Sequence, residues 1–198
     1  MREMPHWIQT VRGKKWDITS PETYVYDAAE IAHSLAHICR FTGHTNEFYS
    51  VCQHSLAVYT EVARFHGQDA PDVRLASFLH DAVEAFVGDV TAPLKNMPWM
   101  SGYRELEHRT EKAIFAQLMP WAPEAYKHPS IRRADLAVLH LEKICLLSEC
   151  EEDWSVGLPE PALDRTWMYP ASIGSCRRRF MAYYHANLPE NRGKAGRL

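Results

Sequence analysis

The chain has 198 residues, of which 46% are hydrophobic and 24% are charged. This composition is typical of a globular protein and excludes collagen-like, disordered and disulfide-stapled classes. The net charge of −3 favours neither nucleic acid nor an anionic membrane, and no apolar run approaches the ~18 residues of a membrane span. We therefore expect a single domain over residues 1–198.

The first elements in chain order are a hairpin and a helix. Residues 7–18 place apolar and β-branched residues on both sides of an RGKK turn, which predicts a short β-hairpin. Residues 27–39 repeat apolar positions at helical spacing, and Asp27 could be the N-cap. Residues 40–49 are predicted to be a loop, with Gly43 as a helix stop.

Helices account for most of the remaining chain. Residues 50–65 give the clearest helical pattern, and Gly67 is expected to end that helix. Its predicted inner face consists of Val51, Ser55, Val58, Val62 and Phe65. Further helices are predicted at 71–86, 103–118, 129–148 and 171–187, with a loop at 151–170. Six helices and a minor hairpin predict an all-α bundle.

The cysteines and the N-terminus indicate the cellular compartment of the protein. The five cysteines are odd in number and contain no CxxC spacing, which is typical of reduced, mostly buried thiols. The opening residues MREMPHWIQT lack the apolar stretch of a signal peptide. We therefore expect a cytoplasmic protein.

Four polar residues fall where burial is expected: His54, His80, Asp81 and Asp135. Buried charges are costly unless they are paired or bound to a metal, and two imidazoles with two carboxylates suit a divalent ion. Taken singly, such a histidine is more often a hydrogen-bonded core residue, and an aspartate near a helix start is more often a cap. Glu84 follows His80 by four residues, which would place both on one side of a helix. The residues alone leave a metal site and structural roles open.

The order H…HD…D resembles the HD-domain metal-dependent phosphohydrolases. Three stretches are similar to their 5′-deoxynucleotidase branch, which includes phage dATP triphosphohydrolases: FYSVCQHS at 48–55, LHDAVEAFVGDVTAPLK at 79–95 and RRADLAVLHLE at 132–142. The stretch AHSLAHICRFTGHT at 32–45 and the opening residues also resemble that branch. The resemblance covers roughly residues 7–145 and implies an HD-domain helical bundle.

The resemblance implies a role for each matching residue. His54, His80, Asp81 and Asp135 match the metal ligands, and the ion could be manganese, cobalt, zinc, iron or magnesium. Glu84 and Asp89 match acidic residues near the scissile phosphate and its water.

Further positions match the substrate-binding part of that branch. Arg40 falls at a phosphate-binding arginine and Phe41 at an aromatic residue of the nucleoside pocket. Lys95 and His44 are candidate partners of phosphate oxygens. Without the resemblance, Arg40 could be a cation that interacts favourably with a helix dipole, Lys95 could be a surface lysine, and Phe41 could fill the core. Spacing alone assigns nothing to His44.

The function expected from these residues is metal-dependent hydrolysis of the 5′ ester of deoxynucleotides. The first expectation is a dATP triphosphohydrolase that releases deoxyadenosine and tripolyphosphate. The alternatives are a 5′-deoxynucleotidase acting on deoxynucleoside monophosphates, a cyclic-dinucleotide or alarmone hydrolase, and a non-catalytic nucleotide-binding module. The expected partner is a small deoxynucleotide rather than nucleic acid or a membrane, and a homo-oligomer is expected by analogy only.

Overall fold

A computed structural model of the chain describes residues 5–66 and 70–192, apart from the side chain of His66. The strands β1 and β2 are Trp7–Gln9 and Lys15–Asp17. The helices α1 to α8 are Ala28–His37, Val51–His66, Pro71–Leu79, Glu84–Val87, Ala92–Lys95, Ser101–Leu118, Pro129–Leu146 and Ile173–Asn187. Within these described ranges the fold is an all-α bundle with an N-terminal hairpin, as predicted. The predicted helix stop at Gly67 lies outside the described residues.

One aromatic side chain of the hairpin is buried against the bundle. Strands β1 and β2 are antiparallel, and Ile8 pairs with Trp16. Trp16 is 1% exposed, stacks on Phe86 with ring centroids 5.4 Å apart, and donates from Nε1 to the Tyr26 hydroxyl at 3.2 Å. Because Phe86 belongs to α4, the hairpin braces the short helix that follows the candidate site.

Helix α1 begins at the predicted cap. The Asp27 carboxylate accepts hydrogen bonds from the backbone N–H groups of Ala29 and Glu30, at 2.9 and 3.0 Å. These bonds satisfy two of the amides that a helix start leaves unpaired. The buried side of α1 includes Ile31 and Leu35, both 0% exposed.

Helix α2 lies at the centre of the bundle. Its predicted inner face is confirmed at Val51, Ser55, Val58 and Val62, which are all fully buried. The prediction is wrong at Phe65, which is 41% exposed. The final turn of α2 lies at the surface, where the Arg133 guanidinium carbon lies 4.0 Å from the Phe65 ring centroid.

The predicted helix over 71–86 is interrupted. Helix α3 ends at Leu79, and residues 80–83 form a tight turn before α4 begins at Glu84. In this turn the N–H of Ala82 donates to the Leu79 carbonyl at 2.9 Å, three residues back rather than four. The expected placement of Glu84 one α-helical turn beyond His80 is therefore wrong, since His80 begins the turn and Glu84 begins the next helix.

The other predicted helices lie within two residues of their predicted bounds, whereas the short helix α5 was not predicted. The loop at 151–170 is irregular apart from one 3₁₀ turn at Arg165–Met168. The Gln53 side-chain amide donates to the carbonyls of Trp167 and Tyr169 and accepts from the Ala171 N–H. This loop is thus attached to α2 beside His54.

The structure also shows the state of the cysteines and the character of the helices. The five cysteines are free thiols, of which Cys52 and Cys176 are buried and Cys150 is exposed. Among the helices of the described ranges, none combines the length and apolar character needed to cross a membrane.

Candidate metal centre

Three predicted ligands form a group of the size that one ion requires. His54 Nε2 lies 3.3 Å from His80 Nε2 and 3.4 Å from Asp81 Oδ2, and the last two atoms are 3.2 Å apart. A tetrahedral ion about 2.0–2.1 Å from its ligands would hold them about 3.3–3.4 Å apart. His54, His80 and Asp81 could therefore hold a metal ion. Helix α2 supplies His54, and the turn after α3 supplies the other two.

Asp135 adjoins this group from α7. Its Oδ1 lies 3.3 Å from His54 Nε2 and 4.0 Å from His80 Nε2, while Oδ2 accepts from Arg132 at 2.8 Å. Asp135 is thus close to both imidazoles, but it lies outside the compact group of three. One oxygen faces the group and the other is held by an exposed arginine.

Each imidazole is oriented by a bond at its other nitrogen. His80 Nδ1 lies 2.7 Å from the Ser77 carbonyl, and His54 Nδ1 lies 2.7 Å from Glu142 Oε1. A carbonyl or carboxylate accepts, so each Nδ1 carries the hydrogen. The neutral ring then presents an Nε2 lone pair to the group. This is the arrangement that metal-binding histidines usually show.

Glu142 was not predicted as a site residue. It is 0% exposed and lies on α7, seven residues after Asp135. That spacing is two helical turns, so the two carboxylates share a face of α7. An acidic residue on the face that carries Val138 is the sequence signal that could have identified it.

Opposite charges in the group shift each other's pKa values. Burial and Arg40 oppose the charged form of His54, but Glu142 and Asp135 outweigh them and raise its pKa to about 9. Burial opposes ionisation of Asp135 too, yet the bond with His54 lowers its pKa to about 2. Burial likewise disfavours the Asp81 carboxylate, and the neighbouring His80, His54 and Arg40 lower its pKa. Binding of an ion would therefore displace a proton from the group.

Arg40 lies beside the metal group instead of capping α1. Its Nε and Nη2 donate to Glu142 Oε2 at 3.2 and 3.1 Å, and its Nη1 lies 3.7 Å from Asp81 Oδ2. The Arg40 N–H donates to the Tyr49 carbonyl at 2.9 Å, which fixes the backbone near the start of α2. Among the described residues, none forms a hydrogen bond with Nη1.

Two strained residues follow Arg40. Phe41 and Thr42 both have a φ of 54°, in the left-handed region that side chains rarely adopt. A residue in this conformation destabilises the folded state by about 1–3 kcal/mol, and such residues are common at functional sites. The Phe41 ring is half-buried, with its centroid 5.4 Å from the Arg40 guanidinium carbon.

His44 is not brought to the group. Its side chain is exposed and forms no hydrogen bond or ion pair with the described site residues. The 3₁₀ turn at Phe41–Gly43 ends in a bond from the His44 N–H to the Phe41 carbonyl. This bond fixes the His44 backbone at the end of the turn.

Two further acidic residues border the group. Glu84 is 4% exposed, and its Oε2 has no hydrogen-bond partner among the residues described. Burial, followed by the Asp81 and Asp89 charges, raises the Glu84 pKa well above its usual range. Burial also raises the pKa of half-buried Asp89, against the opposing effect of Arg40. Both carboxyl groups therefore lose their proton at a higher pH than an exposed carboxyl group does.

Lys95 belongs to a charged cluster and is not a plain surface residue. Its Nζ lies 2.5 Å from Glu107 Oε1 and 3.8 Å from Glu84 Oε1. Although burial opposes the charge, these two carboxylates raise the Lys95 pKa. One turn beyond Glu107 on α6, Glu111 has a pKa raised to about 7 by burial and by the Glu107 charge. Sequence reasoning identified neither Glu107 nor Glu111.

Comparison with known proteins places the chain among relatives of similar length. An uncharacterized protein of Rhodobacter capsulatus is 35% identical over 164 residues, or 80% of this chain and 83% of the relative. The uncharacterized protein YfdR of Escherichia coli K12 is 29% identical over 181 residues, or 90% of this chain and 94% of that protein. No protein-family model matches the chain. At this identity and coverage, the chain belongs to the family of the Rhodobacter capsulatus protein.

Proposed function

We propose that the protein is a divalent-metal phosphohydrolase that cleaves the 5′ ester of deoxynucleotides, with dATP as the first substrate. The observation that supports this most is one arrangement of side chains. An ion-sized group of two imidazoles and a carboxylate lies next to a buried acid with one oxygen free of hydrogen bonds, Glu84, and an arginine with an available nitrogen, Arg40. These are the parts that phosphate ester hydrolysis needs.

His54, His80 and Asp81 would hold the ion, with Asp135 as the fourth ligand. The nitrogen and oxygen donors accept manganese, cobalt, zinc, iron or magnesium. A bound divalent ion supplies positive charge that makes water more acidic and neutralises a phosphate oxygen. The ion would also favour the ionised form of Glu84, whose pKa is raised in its absence.

Glu84 and Asp89 would move the protons of the reaction. Glu84 Oε2, free of other partners, accepts a proton from the water that attacks the α-phosphorus. A bond forms between the water oxygen and phosphorus, and the bond from phosphorus to the 5′ oxygen breaks. Asp89 in its protonated form donates to the departing 5′ oxygen, so the deoxynucleoside leaves as a neutral alcohol.

Arg40 and Lys95 would stabilise the phosphate charge. Glu142 holds the Arg40 Nε and Nη2, and Nη1 is left available to a phosphate oxygen. The Lys95 ammonium, which binds Glu107, would exchange this carboxylate for an oxygen of the triphosphate. Phe41, against the Arg40 guanidinium, would contact the nucleoside.

Product analysis tests this proposal. Protein loaded with Mn²⁺ or Co²⁺ is incubated with dATP or dAMP, and the products are separated by ion chromatography, with a chelator control. We expect deoxyadenosine and tripolyphosphate from dATP. Hydrolysis of dAMP alone would indicate a 5′-deoxynucleotidase. Nucleotide binding without hydrolysis under any metal would refute the enzyme and favour a binding module.

A further inference from the structure

Helix α7 contacts both nitrogens of the His54 ring. Asp135 Oδ1 lies 3.3 Å from Nε2, and Glu142 Oε1 lies 2.7 Å from Nδ1. The ring is 0% exposed. Two carboxylates on one face of a single helix therefore set both the position and the rotation of this imidazole.

The two Glu142 oxygens have separate partners. Oε1 accepts from His54 Nδ1, and Oε2 accepts from the Arg40 Nε and Nη2 at 3.2 and 3.1 Å. Glu142 is completely buried, so water does not replace either partner. A buried carboxylate is costly unless it is paired and hydrogen-bonded, as this one is on both oxygens.

We propose that Glu142 is a positioning residue of the metal centre: its carboxylate fixes the His54 ring with Nε2 toward the ion while Arg40 holds the carboxylate in place. The inference rests on the proposed metal site and is independent of the substrate. Glu142 does not touch the ion or the reacting atoms. It acts through His54, as residues bonded to the far nitrogen of a metal-binding histidine do.

Glutamine cannot replace this carboxylate. Both neighbours of Glu142 are donors, so the position needs two acceptor oxygens. A glutamine side chain has the same shape but offers one oxygen and one NH₂ group. In E142Q the NH₂ group would face a donor, either at His54 or at Arg40, and the ring would lose its fixed orientation.

Glu61 provides a matched control. It is also 0% exposed and lies on α2, and its carboxylate accepts from the backbone N–H groups of Ala162 and Leu163. E61Q therefore changes a buried, hydrogen-bonded glutamate without changing any residue of the metal group. Any loss of Co²⁺ affinity that E61Q shares with E142Q measures the general effect of replacing a buried glutamate by glutamine.

Co²⁺ binding tests the proposal without any nucleotide. Metal-free wild type, E142Q and E61Q are titrated with Co²⁺ by calorimetry, and the d–d absorption of each is recorded. We expect E142Q to bind about 10–100-fold more weakly than wild type, with an altered spectrum, and E61Q to match wild type. Wild-type affinity and spectrum in E142Q would overturn the proposal, as would a wild type that binds no Co²⁺.

A second measurement covers an E142Q variant that fails to fold. In ¹⁵N-labelled wild type loaded with Zn²⁺, the His54 resonances are identified by their loss in His54→Gln. We expect a protonated Nδ1 and a metal-bound Nε2, and the reverse assignment would overturn the proposal. The proposed role of Glu142 and the proposed phosphohydrolase can fail separately. If E142Q binds Co²⁺ more weakly but the wild type hydrolyses neither dATP nor dAMP, the role of Glu142 is supported and the phosphohydrolase is refuted.

Discussion

Replacing Arg40 by methionine removes the cation that neutralises Glu142. Arg40 donates two hydrogen bonds to Glu142 Oε2, at 3.2 and 3.1 Å, and the Glu142 side chain is 0% exposed. A methionine side chain is of similar length but apolar, and it donates no hydrogen bond. In Arg40→Met the carboxylate would keep only its bond to His54.

The expected cost follows from the burial of this pair. Breaking a buried ion pair by removing one partner costs about 3–5 kcal/mol, because a charge is left uncompensated. His54 still faces Glu142 and carries a proton at neutral pH, since its pKa is raised to about 9. We therefore expect Arg40→Met to lower the free energy of unfolding of the metal-free protein by about 3 kcal/mol, the low end of that range.

Urea unfolding followed by circular dichroism measures this cost, and Arg12→Met is the control. Arg12 pairs with Asp27 at 2.6 Å, but the two side chains are 45% and 38% exposed. Exposed pairs contribute about 0–1 kcal/mol, so Arg12→Met should change the stability little. If the two variants lose the same free energy, the electrostatic role assigned to the buried Arg40–Glu142 pair is refuted.

Three more predictions concern the acidic residues. Glu84→Gln should keep metal affinity while kcat falls by about 10²–10⁴, because the proton acceptor is lost; an unchanged kcat would contradict that role. Asp135→Ala should fold but bind Co²⁺ more weakly in calorimetry, and wild-type affinity would remove it from the ligand set. The Glu111 pKa is raised from 4.5 to about 7, so the folded protein binds the extra proton between these values. Its contribution to stability is therefore present at pH 4.5 and lost as the pH rises through 7. In metal-free protein, Glu111→Gln should therefore become more stable relative to wild type as the pH rises over this range. Urea unfolding at pH 5 and pH 8 measures the difference in free energy of unfolding between the two proteins. An equal difference at both pH values would contradict the raised Glu111 pKa.

Sequence periodicity predicted the long helices because it reports which side chains face the core. It could not predict the break after Leu79, because Leu79, Ala82 and Phe86 are buried on both sides of the break and within it, as they would be in a continuous helix. It placed Phe65 in the core because spacing does not say where a helix reaches the surface. The hairpin and the Asp27 cap follow from local turn and capping chemistry, which the sequence contains directly.

The candidate site was predictable to the extent that its residues lie in short motifs. The sequence motifs indicate His54, His80, Asp81 and Asp135 as ligands, and the structure brings them together. Glu142 and Glu107 were not, because their roles depend on contacts over long sequence separations: Glu142 meets Arg40 across 102 residues. Spacing also could not separate His44 from the neighbouring Arg40, since only the loop geometry leaves one exposed and the other buried.

In the proposed reaction, the residues around the metal group direct water to the α-phosphorus of a deoxynucleotide. Hydrolysis of dATP in ¹⁸O-labelled water, followed by mass spectrometry of both products, shows which atom the water attacks. The proposed reaction predicts one ¹⁸O atom in tripolyphosphate and none in deoxyadenosine, with both products absent in the presence of chelator. Label in the 5′ hydroxyl of deoxyadenosine, or no product with any divalent metal, would contradict it.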